Sequence, residues 1–252
     1  MKRTGLITRR RAILAGLASI GGVALARRPR PLPPTYGNLL RMGDDLTYVA
    51  HRTLLPGESL AKEYTAAQIT SFPAVGTTDP GASRHRELGD NYRQLQRGSF
   101  ADWRVMVEGR VSNPTSFSLD ELKRLQARTQ ITRHTCEEGW AAIGQWTGVP
   151  LSVVLQAAGM LPTARCVSIR SHDGGFSSID MLDALHPQTI LAYGMNGRDL
   201  PVQHGAPLRL RVERQIGYKS LKYVNRIVVS DEFDDGGKSG DIQNGWAWYT
   251  GI

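Results

Sequence analysis

Cysteine is almost missing from this 252-residue chain, which holds only Cys136 and Cys166. Two thiols cannot form the multi-bridge framework of a small secreted domain, although one Cys136–Cys166 bridge is available in an oxidising compartment. There is no C-x-x-C and no H-x-x-x-H, so no zinc-type ligand spacing is present, and no C-x-x-C-H marks a haem attachment. No strongly apolar run reaches the roughly 20 residues that a membrane span needs. The best candidate, residues 12–26, is diluted by Gly16, Ser19, Gly21 and Gly22. Internal repeats are lacking. The one biased tract is residues 27–34, where Pro29, Pro31, Pro33 and Pro34 predict an extended linker.

A true basic excess is also lacking. The chain has 31 Lys+Arg against 23 Asp+Glu, but Lys2, Arg3, Arg9, Arg10 and Arg11 precede the first acid. Without these five, 26 basic residues face 23 acidic ones, a net of +3, and Arg27, Arg28 and Arg30 account for it. The body is nearly neutral, which gives no argument for nucleic acid as a partner.

What the N-terminus does contain is an export pattern. Arg9, Arg10 and Arg11 lead into the short apolar run, and Ala24-Leu25-Ala26 matches a small-residue cleavage site. The paired arginines predict a twin-arginine signal over residues 1–26, cut near Ala26, and a periplasmic product. Residues 27–70 then read as a linker and N-terminal arm, and residues 71–252 as the main domain. Some 226 residues follow Ala26, enough for one large domain with a sizeable core.

Short alternating segments separated by turn residues predict an α+β domain with a mixed β-sheet. Residues 103–108 alternate before Gly109. Ser118 and Glu121 form a capping box ahead of Leu122 and Leu125. Residues 130–135 predict a strand with Cys136 at its end. Residues 150–158 predict a helix that starts at Pro150 and stops at Gly159. A strand is expected over 166–171, a helix over 178–185 and a strand over 189–193. Asn196-Gly197 predicts a tight turn. Over 207–212, Leu208, Leu210 and Val212 share one face and Arg209 and Arg211 the other. A last strand is expected over 223–230.

Chemistry concentrates in Arg133-His134-Thr135-Cys136-Glu137-Glu138-Gly139-Trp140. A thiol in such polar company is a candidate nucleophile or soft-metal ligand rather than core filler. This stretch belongs to a longer pattern. It is followed by Trp146-Thr147-Gly148-Val149-Pro150-Leu151, by residues 186–197 from His186-Pro187-Gln188 to Asn196-Gly197, by residues 200–209 around Pro201, His204 and Arg209, and by Gly217-Tyr218-Lys219-Ser220-Leu221-Lys222-Tyr223-Val224. In order and spacing, over residues 70–230, these blocks resemble the molybdopterin-binding domain of the sulfite oxidase superfamily.

The resemblance implies the mixed β-sheet molybdopterin-binding fold of the sulfite oxidase type, as a single main domain. It implies one molybdenum on one molybdopterin, with Cys136 as the metal ligand and catalytic residue. A coordinating thiol binds as thiolate. It implies cofactor contacts from His134, Ser171, His204, Arg209, Lys219, Ser220, Leu221 and Lys222, with Arg209 and Lys222 suited to the pterin phosphate. Residues 72–77, starting Phe72-Pro73-Ala74, depart from the family pattern, because Pro73 and Ala74 stand where a Tyr-Glu pair does in sulfoxide-reducing members. The expected activity is two-electron oxygen-atom transfer, as reduction of sulfoxide or N-oxide groups on a small molecule or a protein. Sulfite oxidation, with Arg133 and Arg170 near the metal, and a non-catalytic exported binding module are the alternatives. With no haem in this chain, electrons need a separate partner such as a membrane cytochrome. A monomer is expected.

Overall fold

The computed structural model describes residues 42–55, 57–234, 236, 241 and 245–252, all within the unit Pro33–Ile252. The predicted signal and the proline-rich linker lie outside the described residues. Among the described residues, no helix is long and apolar enough to cross a membrane.

Two five-stranded sheets organise the domain. The first runs β2 (Thr115–Ser118), β1 (Arg104–Gly109), β10 (Val224–Ser230), β5 (Cys166–Ser171), β6 (Phe176–Asp180), with β1 and β10 parallel and the other pairs antiparallel. The second runs β3 (Arg128–Thr135), β4 (Ala141–Pro150), β7 (Ile190–Met195), β8 (Arg198–Asp199), and β9 (Arg209–Arg211) pairs with β7. Among the described residues, five α-helices decorate them: α1 (Met42–Leu54), α2 (Arg86–Arg97), α3 (Leu119–Arg124), α4 (Leu151–Ala157) and α5 (Met181–Ala184). The α+β expectation holds.

The main core is built from inward residues of both sheets and the helices, including Trp103, Val105, Val107, Leu122, Val149, Leu151, Ile169, Leu191 and Ile227. A smaller cluster of Trp146, Ile190, Ala192, Met195 and Leu200, capped by Phe72, underlies the second sheet. Burying a side chain of this size contributes about 1.5–3 kcal/mol.

Local chemistry explains most boundaries. The Ser118 hydroxyl accepts from Glu121 N at 3.2 Å while the Glu121 carboxylate accepts from Ser118 N at 2.7 Å, the reciprocal cap that starts α3. Asn196 and Gly197 both take positive φ, 51° and 75°, and turn β7 into β8.

One expectation needs correction, and two others gain detail. Residues 178–185 are not one helix. Ser178, Ile179 and Asp180 finish the fully buried strand β6, and Asp180 caps a one-turn helix by accepting from Asp183 N at 2.9 Å. Burial on both faces removed the alternation that marks a strand. The arm over 27–70 contains a regular helix, α1, which docks through charge. The Arg52 guanidinium donates to both Asp180 (2.9 Å) and Asp183 (2.7 Å), and the Tyr48 hydroxyl donates to Asp180 at 2.9 Å. Cys136 and Cys166 are both free thiols. Cys136 directly follows a strand of the second sheet, whereas Cys166 starts a strand of the first and donates to the carbonyl of Glu232.

Candidate cofactor site

β3 sorts its side chains by period two. Gln130, Thr132, His134 and then Cys136 are buried on one face, whereas Thr129 and Arg133 are exposed on the other. A polar chain runs along the buried face. Gln130 Nε2 donates to Glu213 Oε1 at 3.0 Å. Arg211 donates twice to Glu213, at 3.0 and 2.9 Å, and its third nitrogen donates to His134 Nδ1 at 2.8 Å. A guanidinium has only donors, so Nδ1 accepts and the ring proton sits on Nε2. Burial, then the charges of Arg211, Arg209 and Lys222, push His134 far below its usual range, and the imidazole is neutral.

The ring is boxed in. Phe72 and Trp140 lie 5.2 and 5.5 Å from it, centroid to centroid. Gly217 closes the remaining side. A Cβ there would stand 2.5 Å from His134 Nε2, so only glycine fits.

Cys136 follows in a tight turn, its N–H donating to Trp140 O at 2.9 Å and its carbonyl accepting from Gly139 N at 3.1 Å. The thiol is buried and lies 3.5 Å from Glu137 Oε2. Burial raises its pKa, a backbone hydrogen bond from Glu138 opposes the rise, and the carboxylates of Glu137 and Glu138 add to it. The thiol therefore keeps its proton until a metal displaces it.

Beside these residues sits an unbalanced group of cations. Arg209 is buried and donates only to carbonyls, to Ser220 O at 3.1 Å and His204 O at 3.2 Å. Burial, then Arg211, pulls its pKa down to about 9. Lys222 spends its three N–H bonds on the carbonyls of Val75 (2.7 Å), Thr77 (2.8 Å) and Gln203 (2.9 Å). Burial, then Arg209, brings it down to about 8. His204 falls to about 4 through burial and the same two cations. Glu213 is the one carboxylate bonded within the group, and it serves Arg211. Such surplus positive charge, held among neutral carbonyls, is matched to a bound anion.

A second observation points the same way. Trp146 Nε1 is buried without a hydrogen-bond partner, under a ring that carries Arg211 at 4.4 Å and Arg209 at 5.5 Å. A buried orphan donor costs about 1–3 kcal/mol and needs an acceptor. The residues thus fit an anionic, acceptor-rich group with a soft metal at one end. Among the described residues no group of three or more His, Cys, Asp or Glu could hold a metal, so a metal bound at Cys136 needs ligands beyond those that the described residues supply.

The structure brings together His134, Cys136, His204, Arg209, Ser220 and Lys222. Ser171 and Leu221 are neighbours of one another at Gly175, where an added Cβ would stand 2.7 Å from Ser171 Oγ and 3.0 Å from Leu221 Cδ1. Asp173, which accepts from the Ser171 hydroxyl, acts on the charge of Lys222. Lys219 is not brought to the cluster. Its ammonium binds Asp241 and the Ser178 carbonyl instead. Sequence reasoning left out Arg211 and the polar role of Trp146. The signal for Arg211 was its place two residues from Arg209 on the same face. A separate groove of about 540 Å³, lined by Gly57, Glu58, Met181, Leu182, Leu185, His186 and Pro187, shares no residue with the cluster.

Comparison with known proteins agrees with this geometry. Residues 93–237 match the family model described as the oxidoreductase molybdopterin-binding domain. The chain is 40% identical over 162 residues to a candidate protein-methionine-sulfoxide reductase subunit, YedZ1, of Azospira oryzae, covering 64% of this chain and 60% of that protein. It is 39% identical over 190 residues to the protein-methionine-sulfoxide reductase catalytic subunit MsrP of Xanthomonas campestris, covering 68% and 58%. The chain thus spans about 60% of the length of these relatives. The crystal structure of the sulfane dehydrogenase SoxCD from Paracoccus pantotrophus superposes with a TM-score of 0.50 at 26% identity, over 52% of this chain and 39% of that one. With the family model matched over more than half of its length, on the fold and the residues described above, this chain belongs to the oxidoreductase molybdopterin-binding domain family of the sulfite oxidase superfamily.

Proposed function

We propose that the protein is an exported reductase that removes an oxygen atom from an uncharged sulfoxide or N-oxide, using a molybdenum–molybdopterin group and a separate electron donor. When bound, that group supplies two-electron oxygen-atom transfer. The chain's own residues hold and tune it. Cys136 offers the thiolate. Arg209 and Lys222, whose charges are bonded only to carbonyls, would hold the phosphate, with the Glu213-paired Arg211 beside them, and Trp146 Nε1–H and the Ser220–Lys222 backbone would complete the cradle. Phe72, Trp140 and Trp146 exclude water from it. The overall reaction consumes two electrons and two protons and releases water with the reduced sulfur or nitrogen compound.

The observation that carries the choice of an uncharged substrate is the charge at the thiol. Glu137 lies 3.5 Å from Cys136 Sγ, and Glu138 acts on the same thiol. The two arginines considered for sulfite, Arg133 and Arg170, are elsewhere. Arg133 is exposed on the opposite face of β3, and Arg170 pairs with Asp234 at 3.2 Å on the other sheet. A divalent anion about 5 Å from one carboxylate is repelled by on the order of 6 kcal/mol at an effective dielectric near 20. The methionine-sulfoxide names of the similar proteins support the same direction. We further infer export by the twin-arginine route, with cleavage near Ala26, a membrane cytochrome or soluble carrier as donor, and a monomeric enzyme.

The test is purification of the exported protein, metal analysis, and dye-linked turnover of methyl sulfoxides, N-oxides and sulfite. Molybdenum in stoichiometric amount and sulfoxide reduction are expected. Faster sulfite oxidation overturns the choice of substrate, and absence of molybdenum from active protein overturns the whole reading. Lysine at Arg9 and Arg10 is expected to leave the protein in the cytoplasm, and a periplasmic product from that variant refutes the export route.

A further inference from the structure

Lys219 carries its charge into the centre of the protein. It ends the single turn Gly217–Lys219 and is fully buried. Its ammonium donates to Asp241 Oδ2 at 2.6 Å and to Ser178 O at 2.9 Å, and Asp241 is itself buried. Burial pulls the lysine down and the aspartate up, and each opposes the other's shift. The rest of the turn is bolted on the same side. The Tyr218 hydroxyl donates to Ala247 O and contacts Thr250 Oγ1 at 2.8 Å, and its ring stacks on Trp246 at 5.3 Å. Ile216 N donates to Thr250 O at 3.0 Å, and Trp248 Nε1 donates to Ser178 Oγ at 3.1 Å.

The two ends of this turn face the other way, into the cation cluster. Gly217 packs against His134. Ser220, the next residue after the turn, takes Arg209 Nε on its carbonyl and Val212 N on its hydroxyl. The turn therefore joins two sets of contacts, one with Asp241, Trp246, Ala247 and Thr250 and one with the cofactor residues.

We propose that Lys219 and Asp241 are a positioning pair for the pterin site, holding the turn so that Gly217 and Ser220 set His134 and Arg209, with no direct contact between Lys219 and the bound group. This rests on the molybdopterin reading above. Removing one partner strands the other as an uncompensated buried charge, whereas a pair of apolar residues of similar volume satisfies the same space.

The experiment compares Lys219→Met, Asp241→Leu and the double variant with wild type as purified holoenzyme. It reads molybdenum retained per chain, the Mo(V) resonance spectrum and amide exchange over residues 217–222. Each single variant is expected to lose about tenfold in retained metal, the scale seen when a group that orients a site's ligands is removed. Its spectrum is expected to change and its exchange at the turn to rise. The double variant is expected to recover all three. A double variant as depleted as Lys219→Met overturns the proposal, because the ammonium then touches the group itself. Single variants with wild-type metal, spectrum and exchange overturn it as well. If neither single variant folds, the double variant against wild type decides by the same criterion. A wild-type protein without molybdenum sinks the pterin reading, while the exchange data still decide whether the pair holds the turn.

Discussion

Gly217→Ala tests the packing of the site with a single methyl group. The new Cβ would stand 2.5 Å from His134 Nε2, 2.6 Å from Cε1 and 3.1 Å from Thr135 O. To reach ordinary contact near 3.4 Å, the imidazole must retreat by about 0.9 Å. It has nowhere to go cheaply. Arg211 holds Nδ1 at 2.8 Å, and Phe72 and Trp140 flank the ring. Overpacking costs about 1–3 kcal/mol, and a weakened hydrogen bond from a charged donor up to a further 1.5–3. Because part of each is recovered by relaxation, about 2–4 kcal/mol is expected overall. For a domain of this size that lowers Tm by about 4–16 °C. Calorimetry gives the shift, and metal analysis of the same preparation gives the effect on the site. Combining it with His134→Ala removes the obstruction, so the two changes should be strongly non-additive. A Gly217→Ala protein with unchanged Tm and metal content, or simple additivity with His134→Ala, refutes the steric reasoning.

Other consequences are equally open to measurement. Cys136→Ala should abolish sulfoxide reduction in the purified enzyme while leaving much of the pterin contact intact, and wild-type turnover from it would remove the thiolate from the mechanism. Arg52→Met strands two buried carboxylates and should cost about 3–5 kcal/mol in urea unfolding; a loss below about 1 kcal/mol means that the clamp is dispensable. His204 is held neutral, with its pKa lowered to about 4 against an ordinary value of 6.5. The unfolded chain takes up the proton first as pH falls. In cofactor-free protein this stabilisation is therefore full above about pH 6.5 and is lost as pH falls through about 4, by about 3 kcal/mol in total. Denaturant midpoints across that window, with His204→Asn as control, show whether the slope belongs to this ring. Trp146→Phe removes the orphan donor and should weaken metal retention on dialysis, and equal retention means that Nε1 meets no acceptor.

Much of the framework was readable before any coordinates. The cap at Ser118, the Asn196-Gly197 turn, α4 after Pro150 and strand β3 leading directly to Cys136 all follow from local rules, and each acts within a few residues. What escaped was set by distant partners. α1 buries Tyr48 and Arg52, and a helix whose anchor is a guanidinium shows no apolar stripe. α2 buries only Gly89 and Tyr92. β4 contains Gly144 and Gly148 and ends in Pro150, residues that read as breakers, yet it is the central strand between β3 and β7. At the site, Cys136, Arg209 and Lys222 were legible through their blocks. The acceptance of Lys219 by Asp241 was not, since 22 residues separate them and nothing local announces the pair.

The charge clamp under α1 sets where the chain can be cut. A cut ahead of Met42 keeps Tyr48 and Arg52 in the chain. A cut a dozen residues further on would strip the guanidinium from Asp180 and Asp183 and leave the end of β6 with two acids facing each other in the dark. A shortened chain that keeps this clamp therefore begins ahead of α1, well before the first residue of either sheet.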